Sequence, residues 1–145
     1  MAAGTLLANW SPMNIDVPYG ITRRLLATSL TAARERVIES LKAQGFGVLT
    51  EIDVAATLDK KLGVKIDPYV ILGACNPGLA HRAISAEPGI GLMLPCNVVL
   101  TQDGADVVLS AASPKAMFSI VQAAGEVVAV ADEAEDRLRK AVAAA

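Results

Sequence analysis

Three residues are the best candidates for chemistry in this chain: two cysteines, Cys75 and Cys96, and the single histidine, His81. An asparagine follows each cysteine directly. The contexts are apolar and β-like, Leu72-Gly73-Ala74-Cys75-Asn76-Pro77 and Leu94-Pro95-Cys96-Asn97-Val98. A thiolate is a nucleophile and a soft metal ligand, so its surroundings decide its use. Cys75 falls where a strand is expected to give way to a helix, because Asn is a favoured N-cap and Pro at the first helical position loses no hydrogen bond. Free N–H groups and the positive end of the helix dipole favour an anion there, so this thiol is expected to ionise more easily than a free one. The competing reading is a small apolar residue filling a strand end, since free cysteine is among the most buried types.

Cys96 follows Pro95, which implies a sheet edge, a bulge or a strand start. Its plain alternative is again a core cysteine. Asn97 is a poor strand former, and its amide serves either loose backbone groups beside Pro95 or a ligand. Cys75, Asn76, Cys96 and Asn97 are therefore the ligand-binding candidates. Cys75, His81 and Cys96 make a candidate metal set with an open position, suited to zinc or copper. Haem is a further option, with His81 or a cysteine as axial ligand. The plainer reading of His81, a lone helical histidine beside Arg82, is a solvated side chain. A reversible disulfide needs Cα atoms within about 7 Å, which requires the two cysteine strands to be neighbours. The sequence leaves that open. It contains no GxSxG, HExxH, P-loop or GxGxxG motif, and one histidine without a visible partner argues against a Ser-His-Asp hydrolase. No catalytic residue is assigned.

The elements that must position these residues follow from pattern. Residues 1–18 read as an irregular leader, in which Trp10, Met13 and Ile15 could pack as an arm on the body or on a partner subunit. A strand is expected over 20–28. A helix follows, capped by Ser29 or Thr31, with Ala33, Val37, Ile38 and Leu41 as its apolar stripe and Gly45 as its stop. A strand over 46–52 leads to a short helix capped by Asp53, with Val54, Leu58 and Leu62 on one face. The run 69–74 reads as a buried strand, 78–86 as a helix, and 92–100 with 106–111 as a hairpin. Ser113-Pro114 opens a helix to about Gln122, and 126–145 is a last helix with Val127, Val130, Ala134, Leu138 and Val142 on one side. Arg23-Arg24 reads as an exposed rung. The order implies one α+β domain over 19–145, with helices packed on a mixed or mostly antiparallel sheet in a two-layer sandwich.

A chain of 145 residues, more than half apolar, is expected to bury a core without disulfides or structural metal. Net charge is −2 and no Lys/Arg stripe stands out, which argues against nucleic acid as a partner. No apolar run reaches membrane-spanning length, and the N-terminus lacks the pattern of an export signal. With only two cysteines, the cytoplasm is the expected location.

The blocks 45–54, 62–64, 69–77 and 94–98 resemble domain of unknown function family 302, over about residues 19–143. The resemblance implies a small α+β domain of bacteria and archaea, often dimeric, with no settled activity and so no established catalytic residues. It makes both Cys-Asn blocks part of a family pattern, together with Pro95. Three functions stand after this reading. The first is a small-ligand, metal or cofactor binding module near Cys75 and Cys96, in a homodimer. The second is a thiol-dependent redox or sulfur-handling protein using the same cysteines. The third is a structural or interaction dimer.

Overall fold

A computed structural model describes residues 15–121 and 125–145. Most of the expected leader and the expected helix end at Gln122 lie outside these residues.

The first strand, β1 (Gly20–Leu25), is shorter than its apolar pattern suggests. Ala27 takes a left-handed conformation (φ 49°), and its N–H donates to Asp106 Oδ1 at 2.8 Å, so the chain turns away. Helix α1 (Leu30–Ala43) is capped by Ser29, whose Oγ accepts from Ala32 N, and it buries Ala33, Val37 and Leu41. Gly45 (φ 83°) ends it, and strand β2 (Gly47–Asp53) follows. Asp53 caps helix α2 (Val54–Leu62) as its side chain predicts. That helix buries none of its residues, however, and Leu62 stays exposed. Four-residue spacing supplied a stripe there, but the helix packs only lightly, chiefly against β3.

Strand β3 (Tyr69–Cys75) runs directly into helix α3 (Pro77–Ala86) through the Asn76 cap. The expected strand over 92–100 begins later. Pro88–Met93 forms a 3-10 turn, and strand β4 (Cys96–Asp103) starts just after the cis Leu94–Pro95 bond. Pro95 has no N–H to offer a ladder, so the strand begins after it. Strand β5 (Asp106–Ala112) completes the hairpin. Ser113 caps helix α4 (Pro114–Phe118), which is only five residues long, and helix α5 (Glu126–Ala144) closes the fold.

The sheet order is β1-β5-β4-β3-β2, with every neighbouring pair antiparallel. Helices α1, α3, α4 and α5 form the second layer; α5 contacts each of the other three and also β1 and β5. Val98, Leu100, Leu109, Ala111, Leu72 and Ala74 point from the sheet into the core between the layers. This is the α+β two-layer sandwich implied by the element order.

Arg23 and Arg24 are not free rungs. Arg23 Nη1 donates to the carbonyls of Val142, Ala143 and Ala145, and Arg24 pairs with Asp103 and Asp106. Alternation puts the two arginines on opposite faces of β1, so one meets the C-terminal carbonyls of α5 and the other the hairpin.

Candidate functional site: an apolar crevice at the Cys75 and Cys96 strand ends

Strands β3 and β4 are neighbours, with Ala74 opposite Cys96 and Gly73 opposite Asn97. Cys75 lies one residue beyond Ala74, so the two cysteines are diagonal neighbours at the same end of the sheet. Both thiols are free and half-buried. Ala74 and Cys96 share the helix-facing side with Val98 and Leu100. Asn97 falls on the opposite side, with Val99 and Thr101.

The strand-to-helix junction forms as the sequence demands. Asn76 Oδ1 accepts from Leu79 N at 3.2 Å, and Pro77 occupies the first helical position. Beyond this junction the layers leave a crevice. Ala74, Cys75 and Cys96 form its sheet side, with Asn76 and Phe46 beside them. Leu79, Ala80 and Ala83 of α3, Phe118 of α4, and Val130 and Ala134 of α5 form the helical side, and Leu94, Pro95 and Pro114 complete it. The lining is almost wholly apolar, and about 30 Å³ is open to the centre of a water-sized sphere. That is space for one or two waters or a small chemical group, and far too little for a haem macrocycle. A second cleft of about 130 Å³ continues past Cys96, lined by Met93, Asn97, Ala112 and Met117, and it shares Leu94, Pro95, Cys96, Pro114 and Phe118 with the first.

Burial pushes the Cys96 thiol up to about 11, with Cys75 and Glu135 adding to the rise. Cys96 is therefore a neutral thiol at physiological pH, and a poor nucleophile.

The three-donor set of Cys75, His81 and Cys96 is not assembled. His81 is exposed, and the crevice is lined by Leu79, Ala80 and Ala83 of the same helix. Positions 79, 80 and 83 share one helical face and 81 does not. Among the described residues, no group of three or more His, Cys, Asp or Glu side chains is placed to hold a metal ion. Asn97 is also separate from the crevice lining, although it lines the neighbouring cleft.

Residue type alone does not single out Glu135. It is 5% exposed, on α5 next to the crevice residue Ala134. Ser113 Oγ donates to its Oε1, while its Oε2 has no hydrogen-bond partner among the described residues. The signal was present: Ala131, Glu135, Leu138 and Val142 are spaced as one helical stripe, with an acid where an apolar residue is expected.

Residues 21–145 match the family described as "Domain of unknown function DUF302". The chain belongs to this family. Among solved structures, the DUF302 domain here is similar to an uncharacterised conserved DUF302 protein from Bacillus stearothermophilus, with 29% identity and a TM-score of 0.79. The match covers 88% of this chain and 98% of the other. No curated protein matches the chain. The family's function is unknown, so what this DUF302 domain does must be argued from its own geometry. No helix among the described residues is long and apolar enough to cross a membrane.

Proposed function

We propose that this DUF302 domain is a small-ligand binding module whose site is the crevice beside Cys75, Asn76 and Cys96. One observation carries the reading: residues from two strands and three helices converge on an apolar concavity at the sheet end, next to a buried acid. Pockets of that kind, apolar with few placed polar groups, are the usual form of small-molecule sites. Asn97 extends the site along the adjoining cleft. The test is protection of Cys96 from a small alkylating reagent at high pH, read by mass spectrometry on the native protein. A library of small apolar compounds should contain some that slow Cys96 modification in proportion to their occupancy. If none does, and none raises the melting temperature, the crevice is only a packing defect.

A thiol-dependent redox or sulfur-handling role is the second reading. The placement of Cys75 and Cys96 at the same end of two neighbouring strands favours it. The neutral Cys96 weighs against it. Mild oxidant should then give a Cys75–Cys96 bond in the native protein, and its absence removes this reading.

The reading includes a homodimer acting in the cytoplasm. Free cysteines suit a reducing compartment. The sheet face opposite helices α1, α3, α4 and α5 carries Ile52, half of it exposed, beside Ile71 and Val99 in one cross-strand row, a surface suited to a second copy. Sedimentation of the native chain against Ile52→Lys tests the dimer.

A further inference from the structure

We infer that the free edge of strand β2 docks an extended peptide of a partner protein, which adds to the sheet beside α1 and sets an acidic group at its C-terminal end against Lys42. This surface is distinct from the crevice at the cysteines.

The two edges of the sheet are unlike. β1 buries Ile21 and Leu25, and its Arg23 ties it to the C-terminal carbonyls of α5. β2 pairs with β3 on one side only, and none of its seven residues is buried. Alternate residues of an edge strand turn their N–H and C=O groups away from the sheet, so β2 presents a row of donors and acceptors to solvent. The chemical match for such a row is another extended backbone. The edge also has a wall beside it. α1 leads into β2 through the turn at Gly45, so the two lie antiparallel, and Arg34 reaches Glu51 across the gap. Between them runs a groove of about 500 Å³. Arg34, Ile38 and Lys42, one stripe of α1 at four-residue spacing, face Phe46, Val48 and Leu49 there.

The groove specifies its occupant. Every neighbouring pair in the sheet is antiparallel, the more stable kind of pairing. A peptide added that way has its C-terminal end beside Gly47, where α1 closes with Lys42 in its last turn. The two cations of the groove differ. Arg34 is committed to Glu51 through two bonds of 2.6 Å, whereas the Lys42 ammonium has no acid partner among the described residues. An acidic group at that end of the peptide meets the free cation. Leu49 is 68% exposed, and with Ile38 it calls for apolar side chains at the alternate positions that face α1. A second copy of this chain fits less well. Pairing to β3 skips from Val48 to Thr50, which makes Leu49 the extra residue of a bulge. Bulges bend an edge and hinder two identical edges from pairing, while a short flexible segment can follow the bend.

The probe is an acetylated, amidated heptapeptide that alternates threonine with valine and ends in glutamate. One variant ends in lysine instead. A second carries proline at two adjacent central residues, so that either facing of the strand loses a ladder donor. Each is titrated to millimolar concentration into the native protein. NMR follows amide exchange over residues 47–53 and the shifts of Ile38 and Lys42. The glutamate peptide should slow exchange at alternate amides of β2 and bind about two- to fivefold more tightly than the lysine peptide. The proline peptide should protect none of them. Lys42→Glu, an exposed change, should reverse the order of the glutamate and lysine peptides. If no peptide slows exchange in β2, or if the proline peptide does so equally, strand addition is wrong. Equal binding of the glutamate and lysine peptides overturns the acidic end. Exchange in β2 that slows when the protein alone is concentrated assigns the edge to a second copy and overturns the partner peptide.

Discussion

Ser113 links two helices through one hydroxyl: its Oγ accepts from Ala116 N at the start of α4 and donates to Glu135 Oε1 on α5. Both residues are buried. Ser113→Ala therefore removes a helix cap and at once strips the last hydrogen bond from a buried carboxyl group. A lost cap costs about 1 kcal/mol, and an orphaned buried acceptor about 1–3 kcal/mol more. Urea unfolding should show a loss of roughly 2–4 kcal/mol, large for a serine-to-alanine change. A loss under about 0.5 kcal/mol would mean that Glu135 is satisfied by other means.

Arg82 spans the gap between α3 and α5 outside the crevice. Its Nε donates to Glu126 Oε1, and its Nη1 donates to Glu133 Oε2 at 2.9 Å. The pair is solvent-exposed, so its contribution to global stability is small. Its effect is local, because it holds the two helices that wall the crevice. Arg82→Ala should raise the rate of Cys96 alkylation at fixed pH by roughly threefold or more, through more frequent local opening, while the melting temperature barely moves. Equal rates in both proteins would show that the walls are held by apolar packing alone.

How much of this was legible beforehand varies with the physics involved. Caps at Ser29, Asp53, Asn76 and Ser113 are local hydrogen bonds, and each formed where its side chain predicted. The Cys75-Asn76-Pro77 junction was legible for the same reason. Pairing is not local. Nothing in the sequence set Ala74 against Cys96, so the diagonal placement of the cysteines emerged only with the sheet. His81 was drawn into a metal set by residue type alone, and helical phase put it outside. Glu135 does not stand out because it is one of five acidic residues on α5, and an acid on an amphipathic helix reads as surface. Its burial depends on the Ser113 turn arriving from another part of the chain.

Gly45 and Asn76 are a second tight pair. Gly45 takes φ 83°, and a Cβ there would stand 2.9 Å from Asn76 Nδ2. Gly45→Ala must adopt a left-handed backbone and also displace the amide that caps α3. The cost is expected at about 1–3 kcal/mol. The signature that separates this from simple backbone strain is local: amide exchange at Leu79, whose N–H is held by Asn76, should accelerate more than exchange at Leu41 or Leu109. Uniform acceleration across all three would show that only the backbone term matters.

Cys96 makes a distinct prediction for stability against pH. Its folded pKa is raised to about 11 from an ordinary value of 9.0, chiefly by burial. The unfolded chain releases this proton first as pH rises. Below about 8.5 both states are protonated and the full contribution is present. Between about 9 and about 11 the folded state holds more protons, so stability falls with increasing pH. The loss from this one group amounts to about 2–3 kcal/mol by the upper end of the window. Other alkaline groups contribute to the same pH dependence, so the native protein alone does not isolate this one. The difference between the native chain and Cys96→Ser does, because serine does not titrate there. Denaturant unfolding of both proteins from pH 7 to 11 should give a constant difference up to about 8.5. Above that, the native chain should lose its advantage steadily. Parallel curves throughout would show that Cys96 is open to water in the folded state, and with it the floor of the crevice.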